Sequence, residues 1–192
     1  IHALSYCGLD KRGVLIAESH LINGSEGIRP YLTEFHKGCL EKYMVLRPGQ
    51  RAGIDDIDIK ATITKHNADC IGFQIMAPEF TLSYLSDTEY VPELLESHEG
   101  ADVLILNTIN PFAIQTENNL NSEAAVKLIS HLKPKLAVIT HFSIKMLQAD
   151  PIVEAREISR QTGHQIIAAS DGLSLNPATY STKRRQKTLK SF

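Results

Sequence analysis

Three short, uninterrupted apolar runs, Val103-Leu104-Ile105-Leu106, Leu136-Ala137-Val138-Ile139 and Ile166-Ile167-Ala168-Ala169, constrain the fold of this chain more than any other feature. A strand covered on both faces has no reason to alternate polar with apolar side chains, so such runs mark a parallel sheet sandwiched by other elements. Helical signals lie between them. Pro92-Glu93-Leu94-Leu95 begins one helix, Ala124, Ala125, Leu128, Ile129 and Leu132 stripe a second, and Ile152, Val153, Ala155 and Ile158 stripe a third. Asn121 suits the N-cap of the second, and Asp150 followed by Pro151 starts the third. Parallel strands need long crossovers, so strand and helix alternate and the fold class is α/β.

Upstream the pattern differs. Residues 55–66 alternate Ile57, Ile59, Ala61 and Ile63 with polar neighbours, the period of a half-buried strand ending at His66. A turn at Asn67-Ala68-Asp69 leads into Ile71-Gly72-Phe73-Gln74-Ile75-Met76, and Ala77-Pro78-Glu79 reverses the chain into Phe80-Thr81-Leu82-Ser83-Tyr84-Leu85. In such a meander the third strand points the same way as the first. Asp87 is then expected on the same sheet edge as His66.

The parallel runs end in Asn107, His141 and Asp171, and parallel strands share one carboxyl edge, where open α/β sheets bind ligands. His66, Asp87 and His141 therefore form a candidate metal-ligand set, because a cation needs imidazole nitrogens and carboxylate oxygens held by separate rigid elements. Each has a plainer alternative. His66 and His141 can be ordinary strand-end histidines, and Asp87 can cap the helix that follows. Asp171-Gly172 reads as a turn before it reads as a site. Cys70, near His66, is disfavoured as a zinc thiolate, and His20, His36, His98, His131 and His164 read as solvated or structural.

Taken together, Ser86-Asp87-Thr88-Glu89-Tyr90, Gly100-Ala101-Asp102-Val103-Leu104-Ile105-Leu106-Asn107, Lys133-Pro134-Lys135-Leu136-Ala137-Val138-Ile139-Thr140-His141-Phe142 and Ala168-Ala169-Ser170-Asp171-Gly172 resemble the carboxyl-terminal part of a metallo-β-lactamase-fold hydrolase. The resemblance runs from about Gly13 to about Pro177 and is densest after Ile63. It implies the carboxyl-terminal part of a four-layer αββα sandwich with mixed sheets. It also implies that His66 matches the histidine after the family's main motif, Asp87 the carboxylate bridging two metals, and His141 the last histidine ligand. Asp87 is thereby the catalytic candidate. The implied cofactor is a divalent metal, two zinc ions in the intact site, with iron or manganese suited to the same ligands. The implied reaction is attack of metal-activated hydroxide on an ester or phosphodiester.

The family's principal ligand motif, HxHxDH, does not occur here: no two of the eight histidines are separated by a single residue. The chain starts at Ile1, and Ile1-His2-Ala3-Leu4-Ser5-Tyr6-Cys7 resembles the segment soon after that motif in related proteins. The expectation is that residues 1–192 are the carboxyl-terminal portion of a larger domain. The HxHxDH segment is expected on the parent chain or a partner chain, and the isolated chain is expected to be inactive. Asn119 stands where several relatives carry a histidine proposed to protonate the leaving group, and asparagine cannot act as a general acid.

Composition adds exclusions. With 192 residues, 43% hydrophobic and a formal net charge of −2, the chain has no bulk charge bias toward nucleic acid. No apolar run approaches the roughly 20 residues a bilayer span needs. Three cysteines without CxxC spacing suggest free thiols in a reducing compartment, hence the cytoplasm. The basic stretch Lys183-Arg184-Arg185-Gln186-Lys187-Thr188-Leu189-Lys190, within a tail over 181–192, is read as a solvated terminus, with phosphate attraction as its functional alternative. Small-molecule or phosphodiester substrates and a homo-oligomer are compatible with the sequence, and nucleic acid has thin support. Two rival functions stand beside the hydrolase: a non-catalytic or vestigial interaction protein of the same fold, and a nucleotide-binding α/β domain, which no GxGxxG or Walker-type loop supports.

Overall fold

The computed structural model describes residues 1, 5, 9–10, 12–67, 69–114 and 117–181. The basic stretch 183–190 and Cys7 lie outside these residues. Ten strands form two sheets. The small one pairs β1 (Val14–Ala17) in parallel with β2 (Lys42–Val45). A crossover holding α1 (Ser19–Asn23) and α2 (Glu34–Gly38) joins them and buries Ile22 and Leu32 against Ala17 and Leu40. Sequence periodicity missed this unit because a tight loop interrupts it. Gly24, at φ +74°, turns where a Cβ would stand 2.4 Å from the carbonyl oxygen of Ile28, so only glycine fits.

The large sheet runs in the order β10-β9-β7-β6-β5-β4-β3, with β8 attached to β7. β4 (Ile57–Thr62), β5 (Gly72–Met76) and β6 (Thr81–Tyr84) form the expected meander, preceded by a hairpin strand, β3 (Arg51–Ile54), that the pattern did not reveal. β6 then pairs in parallel with β7 (Val103–Asn110), β7 with β9 (Leu136–Thr140), and β9 with β10 (Ile166–Ala168). Two antiparallel steps from β4 to β6 restore direction. The carboxyl ends of β4, β6, β7, β9 and β10 thus share one edge, as the sequence implied.

Two strand ends differ from expectation. β4 stops at Thr62, not His66, because the next residues are satisfied by side chains rather than a ladder: Thr64 Oγ1 donates to the Cys70 carbonyl at 2.6 Å, and the Lys65 N–H donates to Thr88 Oγ1 at 2.8 Å. β7 continues past Asn107 because β8 (Leu120–Asn121) gives it a further partner.

α4 (Ser122–Leu132) begins where Asn121 accepts from the Ala124 N–H at 3.0 Å, and α6 (Pro151–Thr162) begins where Asp150 accepts from the Ile152 N–H at 2.9 Å. Both caps follow the sequence signal. Leu128, Ile129, Ala155 and Ile158 from these helices pack on one sheet face against Leu104, Leu106, Ala137 and Ile139. Each large side chain so buried contributes about 1.5–3 kcal/mol. The opposite face presents Val103, Leu136 and Val138, covered by Ala169, Leu175 and Tyr180 with an apolar cavity of about 320 Å³ left between them. The small sheet lies against the antiparallel end of the large one through Ile16, Leu46, Ala61, Ile71 and Phe73. The fold is α/β with mixed sheets. α3 (Glu93–Ser97) and α5 (Ile144–Ala149) are short connectors, the latter unread in the sequence because Ile144 and Leu147 face solvent and leave no apolar stripe.

Candidate metal centre

Each candidate ligand sits just past a strand end, and two of them meet. Nε2 of His141 lies 3.4 Å from Oδ1 of Asp87. That is too long for an N–H···O hydrogen bond, whose usual range is about 2.7–3.2 Å. It matches the separation of roughly 3.4 Å expected between a nitrogen and an oxygen on one tetrahedral zinc with bonds of about 2.0–2.2 Å. The spacing therefore suits two donors on a shared cation and is also within the range of a direct ion pair.

Backbone conformation explains how both side chains come to face the edge. His141 has φ +64° and Ser86, immediately before Asp87, has φ +60°. For residues with a Cβ this left-handed region costs on the order of 1–2 kcal/mol each. At His141 the strand β9 is wrenched outward before Ser143 caps α5, leaving the imidazole half exposed. At Ser86 the chain doubles back after the fully buried Leu85, presenting the Asp87 carboxylate. Among the described residues, six non-glycine positions have positive φ, and three of them, Ser86, Asn118 and His141, border this edge. Strain gathered in this way is characteristic of sites whose geometry is fixed against local preference.

Asp87 is not a helix cap: α3 has Pro92 at its N-cap and no capping side chain. Its Oδ1 instead accepts from Nδ2 of Asn107 at 2.8 Å. Asn107, only 6% exposed, also donates to the Tyr84 hydroxyl at 3.2 Å. The sequence had marked Asn107 only as the polar end of an apolar run.

His66 belongs to the same edge through the loop after β4. Its Nδ1 is 2.6 Å from the carbonyl oxygen of Asn118. A carbonyl only accepts, so Nδ1 carries the proton and Nε2 is left with a lone pair, the tautomer a metal ligand needs. This partner was invisible in the sequence, which had singled out the neighbouring Asn119. The loop is tethered on its far side by Nδ1 of His20, which stands 2.9 Å from both Glu18 Oε2 and Asp69 Oδ2. Among the described residues, no three His, Cys, Asp or Glu side chains are gathered into a metal centre, so the structure brings Asp87 and His141 together and does not bring His66 into one group with them.

Cys70 donates from Sγ to the Asp87 carbonyl at 3.2 Å and touches Thr64 Oγ1 at 3.2 Å. Burial pushes its thiol pKa up, opposed in part by the bond from Thr64 and helped to a smaller extent by the Asp87 and Asp69 charges. It is a structural thiol. Asp171 lies in an exposed turn closed by the Leu173 N–H donating to the Ser170 carbonyl at 3.0 Å, with Gly172 at φ +85°.

Fold and edge together define a class of protein. The model of a β-lactamase superfamily domain matches residues 15–142, and the chain belongs to that family. An uncharacterized protein, MJ1374, from Methanocaldococcus jannaschii is 34% identical over 176 residues, covering 90% of this chain. The chain spans 65% of that relative's length. The metallo-β-lactamase fold protein YhfI from Bacillus subtilis superposes with a TM-score of 0.70 at 17% identity, covering 83% of this chain and 62% of that one. A diphosphatase from the PhnP family superposes with a TM-score of 0.65 at 19% identity, covering 91% of this chain and 63% of the other.

Proposed function

We propose that this chain carries the later half of a binuclear site in a metal-dependent hydrolase acting on an ester or phosphodiester. The observation that carries the proposal is the 3.4 Å approach of His141 Nε2 to Asp87 Oδ1, a spacing suited to two donors on one cation. Asp87 and His141 would hold one metal ion, and the Nε2 of His66, which is not grouped with them, would serve a second ion that Asp87 reaches with its other oxygen. Zinc is the natural occupant of such nitrogen and oxygen donors, with iron or manganese acceptable to the same set. When bound, the metal supplies Lewis acidity and makes water acidic enough to attack near neutral pH.

The chain's own groups do the positioning. Asn107 fixes the Asp87 carboxylate, and the Asn118 carbonyl fixes the His66 tautomer. Asn119 supplies no proton to a leaving group, so that proton must come from elsewhere. A segment bearing HxHxDH, on the same protein or a partner, would complete the ligand set. No helix among the described residues is long and apolar enough to cross a membrane. Free thiols at Cys39 and Cys70 support a reducing compartment such as the cytoplasm.

The test is zinc uptake by elemental analysis alongside hydrolysis of a model phosphodiester. Residues 1–192 alone should bind zinc weakly and turn over little. Supplying the HxHxDH segment should raise both together. Tight stoichiometric zinc in a monomeric sample of the chain alone would overturn the shared-site proposal, and full metal loading with no hydrolysis of any ester would favour a non-catalytic interaction protein.

A further inference from the structure

We infer that Glu89 is a positioning residue that locks the imidazole of His66 in its Nδ1–H tautomer by gripping both sides of the His66–Asn118 hydrogen bond. The inference rests on His66 acting as a metal ligand only for its effect on metal, since the lock itself is a property of the chain.

The carboxylate spans two loops. Oε1 pairs with Lys65 Nζ at 2.5 Å, one residue before His66, and Oε2 accepts from the Asn118 N–H at 3.2 Å. The Glu89 N–H donates to the Lys65 carbonyl at 2.8 Å, and the Lys65 N–H is itself held by Thr88 Oγ1. Lys65, the residue before His66, and the 117–118 peptide beside the Asn118 carbonyl are thus fastened to one short segment, 88–89. Thr88 is fully buried, which makes that segment a firm anchor.

Asn118 explains why an anchor is needed. At φ +59° its backbone is in the left-handed region, and only in that turn does its carbonyl oxygen stand 2.6 Å from Nδ1. Left unrestrained, the peptide relaxes toward ordinary φ and the carbonyl swings away. The bond from the Asn118 N–H to Glu89 holds the 117–118 peptide, on the amino side of that left-handed residue. The same bonds hold the Glu89 carboxyl below its ordinary range, Lys65 contributing most and the Asn118 N–H next. A ring nitrogen freed from its carbonyl exchanges tautomers, and Nε2 is then protonated part of the time and unable to bind a cation.

The test is nitrogen-15 NMR of the His66 ring in metal-free protein, assigned by loss of its signals in His66→Gln, together with zinc titration. The expected result is that Glu89→Ala converts a single Nδ1–H tautomer into a mixture and weakens zinc by the inverse of the Nδ1–H fraction that remains, roughly 2–5-fold for a comparable mixture. Glu89→Gln, which still accepts from Asn118, should keep the tautomer and lose less affinity. Should the Ala variant not fold, Glu89→Met, of similar length, replaces it. An unchanged His66 tautomer in a folded Glu89→Ala or Glu89→Met variant overturns the inference. A shifted tautomer with zinc affinity unchanged in both Glu89→Ala and His66→Gln supports the lock and overturns His66 as a ligand.

Discussion

Asn107 donates to the same Asp87 oxygen, Oδ1, that faces the imidazole of His141, so one carboxylate oxygen serves both a fixed amide at 2.8 Å and a ring nitrogen at 3.4 Å. The amide sets the rotation of the carboxylate. Replacing Asn107 by Leu keeps the branched outline of the side chain and removes the donor. Zinc affinity should fall by about 10–100-fold with little change in secondary structure, as competition against a chromophoric chelator would report.

Removal of the ligand itself should be more severe. Asp87→Ala in the metal-loaded protein is expected to abolish hydrolysis and release metal, because a carboxylate between two cations offsets their repulsion. Asp171→Ala, in an exposed turn, should cost at most about 1 kcal/mol of stability and leave turnover near its original value. The reverse ranking, in metal content and rate together, would show that the assignment of the site is wrong at its centre.

The strain at His141 predicts a gain. His141→Gly relieves the left-handed backbone at φ +64°, and in metal-free protein the midpoint of thermal unfolding should rise. The net effect should be roughly 1 kcal/mol or less, since glycine also enlarges the unfolded ensemble. Zinc uptake should fall at the same time. A lower midpoint in calorimetry would mean that no strain is stored there.

His98 gives the fold a pH dependence separate from the metal. Its ring is fully buried with no hydrogen-bond partner at either nitrogen among the described residues, and burial, followed by the Lys60 charge, lowers its pKa from 6.5 to about 4. The unfolded chain therefore binds a proton that the folded one refuses. Stability is full above about pH 6.5 and declines as pH falls toward 4, by up to roughly 3 kcal/mol. His98→Leu should flatten urea-unfolding free energies across that window, and an unaltered slope would contradict the assignment.

Gly24→Ala should destabilise by more than about 1 kcal/mol, since φ +74° disfavours any Cβ and the Ile28 carbonyl occupies its place. Gly27→Ala, in the same loop with open space around it, should cost less. Equal losses in denaturant titrations would mean that backbone conformation alone, and not the clash, decides both.

How much of this was legible depended on whether a residue's role is local. Asp87 and His141 could be found because each ends a strand whose period is written in its own neighbours, and strand direction then fixed the shared edge. Asn118 could not, because its role is to receive a hydrogen bond from a residue 52 positions away, and its left-handed turn leaves no mark in composition. β3 escaped because it shares a two-residue turn, Asp55-Asp56, with β4, which merged both into one apparent strand start. β1 and β2 escaped because Gly24, Gly27 and Pro30 break the pattern between them, and their partnership is across a crossover rather than within a window.

The seam between antiparallel and parallel halves of the large sheet also sets an order in time. β3 to β6 pair with their neighbours in sequence, β3–β4 and β5–β6 through short reversals, and hairpins of that kind form in about 1–10 μs. β7, β9 and β10 must wait for crossovers through α3, α4 and α6, whose non-local pairing closes more slowly. Asp87 is delivered with the early half and His141 with the late one. A newly made chain would therefore pass through a stage in which the carboxylate is in place and its imidazole is still travelling, and a chelating ion added then would act on the folding rate as well as on the finished protein.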